Sequence, residues 1–261
     1  MATSTWGRAL VTGASGGIGE AFARRLAAEG TDLVLVARSG DTLERIAAEL
    51  RTAHGVHVDV VAADLTTDLG VHAVEERLGD VDLLVNNAGY GISKRLQDVD
   101  AGDVEGMIRL NVLALARLTH AAVPHMVQRG SGAIVNVSSV AGFSPSPSFA
   151  TYNGTKAFVT MFSEALALEL RGTGVQVQAL CPGLTRTGFQ AVAGETGTGD
   201  LPGFMWQEAD EVVAASLNGL RRHTVVVLPG LHNKAFVGGV SALPRGIRRR
   251  LAGAVMNARG R

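Results

Sequence analysis

Two side chains that could transfer a proton, Tyr152 and Lys156, lie four residues apart in the chain. In a helix this spacing places the phenol and the ammonium on the same face. A phenol with a pKa of about 10 is a poor acid and a poor base at neutral pH, and an adjacent positive charge lowers that pKa toward the working range. The pair therefore indicates general acid–base chemistry. Taken alone the pattern is weak, because a Tyr and a Lys four apart also occur by chance on solvated helices.

A glycine-rich turn near the start of the chain follows a short apolar segment, Arg8 to Thr12. Its glycines Gly13, Gly17 and Gly19 open a helical pattern. A strand, a glycine turn and a helix in this order let backbone N–H groups approach a pyrophosphate at the positive end of the helix. The alternative is a plain glycine-rich turn.

Length and composition favour one α/β domain, since the chain has 261 residues, of which 46% are hydrophobic and 18% charged. We expect no secretory leader and no membrane span, and hence a cytoplasmic protein. The single cysteine, Cys181, excludes an internal disulfide and is predicted to be a buried strand residue. The seven histidines form no ligand cluster in the sequence, so no metal site is predicted.

Short apolar segments alternate with helical patterns along most of the chain, which predicts right-handed crossovers and a parallel sheet. A long helical pattern at 103–128 holds Asn111, a poor helix former, in its middle. A second, at 149–170, carries Tyr152 and Lys156. After the first strand, the predicted strands are 32–37, 56–62, 81–85, 133–137, 175–180 and 224–228.

With these features in view, the chain resembles the short-chain dehydrogenase/reductase family. The motifs that carry the resemblance stand in the family's order: Thr12-Gly13-Ala14-Ser15-Gly16-Gly17-Ile18-Gly19, Asn86-Asn87-Ala88-Gly89, Asn111, Ser139, Tyr152 with Lys156, and Pro182-Gly183-Leu184-Thr185-Arg186-Thr187. The resemblance covers Arg8 to about Pro229. It implies a Rossmann-type, doubly wound parallel sheet of seven strands with helices on both faces, in a single NAD(P)-binding domain that spans residues 1–230 and carries the active site.

The resemblance also implies the catalytic residues Asn111, Ser139, Tyr152 and Lys156. Tyr152 would give a proton to a carbonyl oxygen during reduction, or remove one from an alcohol during oxidation. Lys156 would lower the pKa of Tyr152 and bind the nicotinamide ribose, and Ser139 would donate to the substrate oxygen. Asn111 would hold a water that links Lys156 to solvent. The alternative for Asn111 is a residue that caps or kinks its helix.

The cofactor-binding residues that the family's pattern implies are Gly13, Ser15, Gly17, Ile18, Gly19, Arg38, Asp64, Leu65, Asn87, Ala88, Gly89, Tyr152, Lys156, Pro182, Gly183, Thr185 and Thr187. Asp64 would accept from the adenine amino group and Leu65 would lie beside the ring. Two alternatives stay open: Asp64 could be only a turn residue, and Thr187 only a loop hydroxyl.

The end of the second strand predicts that NADP(H) is preferred over NAD(H). An acidic residue there would bind the 2′-hydroxyl of the adenosine ribose and select NAD. This chain has Ala37 at that position and Arg38 immediately after it, which offers a charge-assisted contact to a 2′-phosphate, with Ser15 or Ser39 as a further donor. The turn lacks the additional basic residue of many NADP-dependent relatives, since Gly16 occupies its place, so the preference is expected to be moderate.

The predicted substrate-binding residues are Ser139, Phe143, Phe149 and Tyr152, with an apolar pocket around them. For Phe143 or Phe149 the alternative is simple core packing. The partner is therefore expected to be a small carbonyl or alcohol compound.

The segment 231–261 is predicted to be a basic, partly amphipathic C-terminal extension. After Glu211 the chain has nine basic residues and no acidic residue. A helix over 244–255 would place arginines opposite an apolar face, which could contact an anionic membrane or, as the favoured alternative, dock on its own domain or a neighbouring subunit. Nucleic acid binding is not expected, because no recognition motif accompanies the charge. A homodimer or homotetramer is expected.

Three functions follow from these patterns. The leading hypothesis is an NADPH-dependent reductase of an apolar ketone or aldehyde, with Tyr152 as the proton donor. The second is NAD(P)-dependent oxidation of a secondary alcohol by the same residues. The third, from another class, is a non-catalytic protein that senses dinucleotides.

Overall fold

The computed structural model describes residues 5–189, 193–194, 202–250 and 252. Its centre is a parallel sheet of seven strands in the order β3-β2-β1-β4-β5-β6-β7. The strands are β1 Arg8–Thr12, β2 Asp32–Ala37, β3 Val58–Ala62, β4 Leu83–Asn86, β5 Gly132–Val137, β6 Val175–Leu180 and β7 Val226–Val227. The predicted doubly wound Rossmann sheet is thereby confirmed.

Helices cover both faces of this sheet, so its strands are apolar on both sides. The described helices are α1 Gly17–Ala28, α2 Gly40–His54, α3 Asp68–Glu75, α4 Ala101–Ile108, α5 Leu115–Arg129, α6 Ala150–Glu169, α7 Ala209–Arg221 and α8 Leu231–Ala242. Ala9 and Val11 of β1 face the core formed with α1, α2 and α7, whereas Leu10 faces the core formed with α3 and α5. Successive side chains of a strand point to opposite faces of the sheet and thus contribute to two hydrophobic layers.

Local signals in the sequence set several helix ends. The Thr67 side chain accepts from Gly70 N at the start of α3, and Asp100 accepts from Gly102 N at the start of α4. Gly55 and Gly130 adopt left-handed conformations just after α2 and α5, where a residue without Cβ is favoured.

The single helix predicted at 103–128 is interrupted. A π-helical segment, Arg109–Ala114, separates α4 from α5. Asn111 lies within it, and the hydrogen bonds of its side chain to neighbouring elements, described below, give a physical reason for the interruption.

The structure adds two helices that the sequence patterns did not predict, α3 and α8. Helix α8 begins directly after β7 and packs beside the turn Val140–Phe143. Residues 245–250 are helical as well. The rest of the predicted amphipathic helix, apart from Ala252, lies outside the described residues. So does most of segment 188–202, whose glycine-rich sequence predicts a mobile lid. Within the described parts of the chain, the helices are too short or too polar to traverse a bilayer.

Candidate active site

The glycine turn fills the space between β1 and α1 so tightly that side chains are excluded. A Cβ on Gly13 would lie 2.7 Å from Asn87 Nδ2, and a Cβ on Gly19 would overlap the carbonyl of Gly13. Gly13 and Gly17 have φ values of 66° and 56°, which L-residues rarely adopt. The turn therefore leaves its backbone open to a ligand at the N-terminus of α1.

The turn is fastened to the segment that follows β4. The Thr12 hydroxyl oxygen accepts from the backbone N–H groups of Asn87 and Ala88, both at 2.9 Å, and Asn87 Nδ2 donates to Thr12 O at 2.9 Å. These contacts hold the carboxyl ends of β1 and β4 together, at the point where the strand order reverses direction. Ligands of open α/β sheets bind at this kind of crevice.

Tyr152 and Lys156 lie in the first two turns of α6 and are both buried, with 8% and 5% of their surface exposed. Lys156 Nζ donates to Val137 O at 2.8 Å and lies 5.8 Å from the centroid of the Tyr152 ring. Burial disfavours the ammonium and lowers the pKa of Lys156 from 10.5 to about 8. The two groups are thus neighbours in a site largely shielded from water.

The two serines after β5 have different surroundings. Ser138 is buried and its hydroxyl donates to Lys156 O at 2.8 Å, which secures the helix backbone at the lysine. The Ser139 hydroxyl accepts from Ala141 N at 3.1 Å and donates to Pro182 O at 3.5 Å. The long Ser139 bond is a weak one, so this hydroxyl can be redirected to a ligand at little cost.

Asn111 connects the π-helical segment to its neighbours. Its Nδ2 donates to Tyr90 O at 2.9 Å and Thr155 Oγ1 at 3.1 Å, and its Oδ1 accepts from Tyr90 N at 3.1 Å. Thr155 Oγ1 in turn donates to Tyr152 O at 2.7 Å. A Cβ on Gly89 would lie 2.9 Å from Asn111 Oδ1 and 3.6 Å from Lys156 Nζ, so a residue without Cβ lets these groups approach.

One cavity of about 1000 Å³ joins these parts. Ser139, Tyr152 and Lys156 line it. The predicted cofactor-binding residues that also line it are Gly13, Ser15, Gly17, Ile18, Arg38, Asp64, Leu65, Asn87, Ala88, Gly89, Pro182, Gly183, Thr185 and Thr187. Gly19, Asn111 and Phe143 lie outside its described lining; Gly19 supports the turn from behind, and Asn111 lies behind Gly89. Their roles, like those of the lining residues, stay predictions.

The end of the cavity beyond β2 contains a positive and a negative side chain. Arg38 is exposed and lines the cavity beside Ala37 and Ser39. Asp64 Oδ1 accepts from Thr66 N at 2.9 Å and from Thr66 Oγ1 at 2.8 Å. The hydrogen bond from the Thr66 backbone N–H lowers the pKa of Asp64. Burial opposes this effect, whereas the Thr66 hydroxyl and the Arg38 charge add to it. Asp64 is therefore a carboxylate at neutral pH.

Aromatic rings surround Tyr152 at the other end. The Phe189 and Phe149 ring centroids lie 5.5 and 6.1 Å from that of Tyr152. A Cβ on Gly91 would lie 3.0 Å from the Tyr152 ring, so Gly91 gives this ring its room. The phenol thus stands in mostly apolar surroundings.

The structure brings into the site residues that the sequence patterns missed. The Val137 carbonyl binds Lys156, but a backbone acceptor leaves no mark in the sequence. Asn153 lines the cavity and donates to Ser144 O at 3.2 Å. Its position in the chain, next to Tyr152, is the sequence feature that could have indicated a place in the site. Cys181, which the sequence predicts to be a buried strand residue, is fully buried but lies just after β6; its Sγ lies 3.9 Å from Thr160 Oγ1, and burial raises the pKa of its thiol to about 11. Among the described residues no cluster of His, Cys, Asp and Glu could hold a metal ion.

Comparison with known proteins points to one family. The profile of the short chain dehydrogenases matches residues 8–198. A short-chain dehydrogenase from Sphingobium yanoikuyae in complex with NADPH is 42% identical, with a TM-score of 0.82 over 91% of this chain and 96% of that one. A bulky-bulky ketone specific alcohol dehydrogenase from Comamonas testosteroni is 36% identical, with a TM-score of 0.78 over 91% and 95% of the two chains.

A third similar structure holds the other nicotinamide dinucleotide. It is a short chain dehydrogenase/reductase from Burkholderia phymatum in complex with NAD, 28% identical, with a TM-score of 0.80 over 91% of this chain and 93% of that one. Because the family profile matches most of the chain and the sheet has the architecture of these neighbours, the chain belongs to the short-chain dehydrogenase/reductase family, whose members are oxidoreductases of alcohol and carbonyl groups.

Proposed function

We propose that this protein is an NADP(H)-dependent reductase of apolar ketones or aldehydes. The observation that carries the proposal is the single cavity that has Tyr152, Lys156 and Ser139 at one end and the glycine turn with Arg38 at the other. A dinucleotide extended between the two ends would place its nicotinamide beside the phenol of Tyr152.

The residues present fit such a cofactor. Gly13 and Gly17 line the cavity in a turn that has no room for side chains, at the positive end of α1, and Gly19 packs against the Gly13 carbonyl outside the cavity. Asn87 and Ala88, which are bonded to the turn, and the loop after β6 also line the cavity. When bound, the reduced nicotinamide supplies a hydride to the carbonyl carbon.

The side chains of the site complete the reaction. The carbonyl oxygen gains negative charge as its carbon accepts the hydride, and the Ser139 hydroxyl donates a hydrogen bond to it. The Tyr152 phenol then transfers its proton to that oxygen, which yields the alcohol. The ammonium of Lys156 favours the phenolate that remains, and the Asn111–Thr155 contacts hold this part of α6 in place.

The cofactor preference rests on the end of β2. Ala37 offers no carboxylate to the 2′-hydroxyl of an NAD ribose, and the guanidinium of Arg38 is free to approach a 2′-phosphate. The Sphingobium neighbour holds NADPH, which supports this choice, whereas the Burkholderia neighbour holds NAD. The preference is therefore expected to be moderate.

The substrate class rests on the rings around Tyr152. Phe149 and Phe189 give the substrate end of the cavity apolar walls. The Comamonas neighbour, which acts on bulky-bulky ketones, supports a carbonyl substrate with apolar substituents on both sides. The same site can run in the reverse direction on a secondary alcohol. A protein that only senses dinucleotides would not need a buried lysine beside a tyrosine, so that function is not favoured.

The test is a screen of bulky apolar ketones and aldehydes with NADPH and with NADH, followed by nicotinamide absorbance. We expect turnover with NADPH, and a loss of about 100-fold or more in kcat for Tyr152→Phe. Tyr90→Phe is the matched control, because Tyr90 also lines the cavity but its hydroxyl donates to Asp103 O. Comparable rates for the wild type and Tyr152→Phe would contradict the mechanism. A cytoplasmic location and assembly as a homodimer or homotetramer stay predictions of the sequence.

A further inference from the structure

Helix α8 places a buried amide against the body of the domain. Asn233, in the first turn of α8, is only 6% exposed, although Lys234 beside it is exposed. Its Nδ2 donates to Pro229 O at 2.7 Å and to Gln207 Oε1 at 2.9 Å. A buried amide that makes both its donor bonds fixes the position of the groups around it.

The Asn233 amide lies directly on the loop after β6. A Cβ on Gly183 would lie 2.6 Å from Asn233 Nδ2 and 2.8 Å from Cγ, and would overlap Oδ1. Gly183 itself lines the cavity. The amide is therefore separated from the cavity by the thickness of one backbone segment.

Gln207 connects Asn233 to the rest of this loop. Its backbone N–H donates to Leu184 O at 2.9 Å, and its carbonyl accepts from Arg186 N at 2.9 Å. Leu184 and Thr185 line the cavity. Asn233 thus contacts the loop at Gly183 directly and, through Gln207, holds it from Leu184 to Arg186.

Both ends of the loop reach groups of the active site. The Pro182 carbonyl accepts from Val140 N at 3.0 Å and from the Ser139 hydroxyl at 3.5 Å. At the other end, a Cβ on Gly17 of the glycine turn would lie 3.1 Å from the Thr187 side chain. The loop therefore forms the wall of the cavity that faces the glycine turn.

We propose that Asn233 is a positioning residue for the cofactor: it holds the loop 182–187 at the separation from the glycine turn into which the dinucleotide fits. Asn233 does not line the cavity and acts only through Gly183 and Gln207. Segment 231–242 then contributes to cofactor binding through Asn233, although no pattern in the sequence predicted this role.

The first test compares Asn233→Ala with Lys234→Ala, a control on the exposed face of the same helix. We expect Asn233→Ala to raise the Kd for NADPH about tenfold, measured by nucleotide fluorescence at a temperature where both variants are folded. The kcat at saturating cofactor should change by less than about threefold, because no group at the reacting atoms is lost. A purely structural role would lower the melting temperature and leave the Kd unchanged, and that result would overturn the proposal.

A double-mutant cycle tests the contact itself. Gly183→Ala places a methyl group where the Asn233 amide lies, so it should raise the Kd for NADPH, again about tenfold. Asn233→Ala removes the three atoms nearest to the added methyl group, so in that background Gly183→Ala should raise the Kd by less than about threefold. Equal effects of Gly183→Ala in both backgrounds would overturn the proposal. If Asn233→Ala proves too unstable to purify, Asn233→Ser, which keeps a hydroxyl donor and removes the two amide atoms nearest to the added methyl group, takes its place in both tests.

Discussion

At the scale of single residues, Lys156 is a cation that burial removes from water. The residue is 5% exposed, and the described acceptor of its ammonium is a backbone carbonyl at 2.8 Å. In the unfolded chain the lysine keeps its ordinary pKa of 10.5, whereas in the folded protein the pKa falls to about 8. Between these values the unfolded chain binds more protons than the folded protein, so this group makes the free energy of unfolding rise with pH there.

We therefore predict a pH dependence that Lys156→Met removes. In the apoprotein, the free energy of unfolding of the wild type should rise by about 1 kcal/mol more than that of Lys156→Met between pH 7 and pH 9. Urea titrations at a series of pH values measure the difference. Cys181, whose pKa is raised by burial and lowered by the Lys156 charge, acts in the opposite direction mainly above about pH 9, beyond this window. Parallel curves for the two proteins would contradict the buried ammonium.

The proposed cofactor preference also depends on one or two side chains. A charge-assisted contact contributes about 1.5 to 3 kcal/mol, so kcat/KM with NADPH should exceed that with NADH about tenfold to a hundredfold. Ala37→Asp with Arg38→Ala should reverse this ratio, because a carboxylate repels the 2′-phosphate and binds the 2′-hydroxyl. Arg45→Ala, which removes another arginine close by on α2, should leave the ratio unchanged. A wild-type ratio of one or below would overturn the preference.

Sequence spacing anticipated some of these residue contacts and not others. The interval of four placed Tyr152 and Lys156 on one helical face, and α6 carries both. The acceptor of Lys156 and the partners of Asn233 were not predictable, since they are backbone carbonyls or residues far apart in the chain. Asn111 was singled out as a poor helix former, but its bonds to Tyr90 and Thr155 depend on how three elements pack.

At the scale of elements, hydrophobic patterning predicted the seven strands, because strands buried on both faces are distinctly apolar, and their alternation with helical patterns predicted a parallel sheet. Ends and short elements were predicted less well. Strand β7 is limited to Val226–Val227 although 224–228 was predicted, since an edge strand has hydrogen-bond partners on one side only. Helix α8 contains glycines and lacks a strong amphipathic pattern, so its packing on the domain gave no signal in the sequence.

The junction of β1 and α1 gives a prediction at this scale. Gly19→Ala places a methyl group on the Gly13 carbonyl and 2.5 Å from Asn87 Nδ2. The Gly13 carbonyl belongs to the backbone and cannot move away without opening the turn. We expect a loss of about 2 kcal/mol or more in the free energy of unfolding of the apoprotein. Gly16→Ala is the matched control, because its Cβ would meet nothing within 4 Å. Equal losses in urea titrations of the two variants would contradict the tight turn.

At the scale of the whole molecule, the order of the strands assembles the site from both halves of the chain. The glycine turn, Arg38 and Asp64 come from the half that contains β1 to β3, whereas Ser139, Tyr152 and Lys156 follow β5. The loop after β6 closes the cavity between them. The division predicted at residue 230 stays untested, but α8 directly beyond it packs on the domain through Asn233 and Val237.

Two truncations examine this packing. A chain that ends at Gly230 lacks α8 and should lose about 5 °C or more in melting temperature, since buried Val237 and the Asn233 bonds are removed. A chain that ends at Leu243 keeps α8 and should melt within about 2 °C of the full chain. Differential scanning calorimetry measures both. If the two chains melt together, α8 does not stabilise the domain.

The burial of Cys181 makes its thiol a natural probe of local opening in solution. The chain has one cysteine, and its thiol is fully buried between β6 and α6, close to Ser138 and Thr160. A thiol reagent can therefore label the protein only when this region opens, so the labelling rate reports the free energy of local opening beside α6 without any engineered probe. NADPH should slow the labelling by a factor of about one plus the ratio of the NADPH concentration to its Kd, because a ligand that binds only the closed state suppresses the open one. The native sequence thus contains a single-site reporter of how firmly the cofactor holds the active site closed.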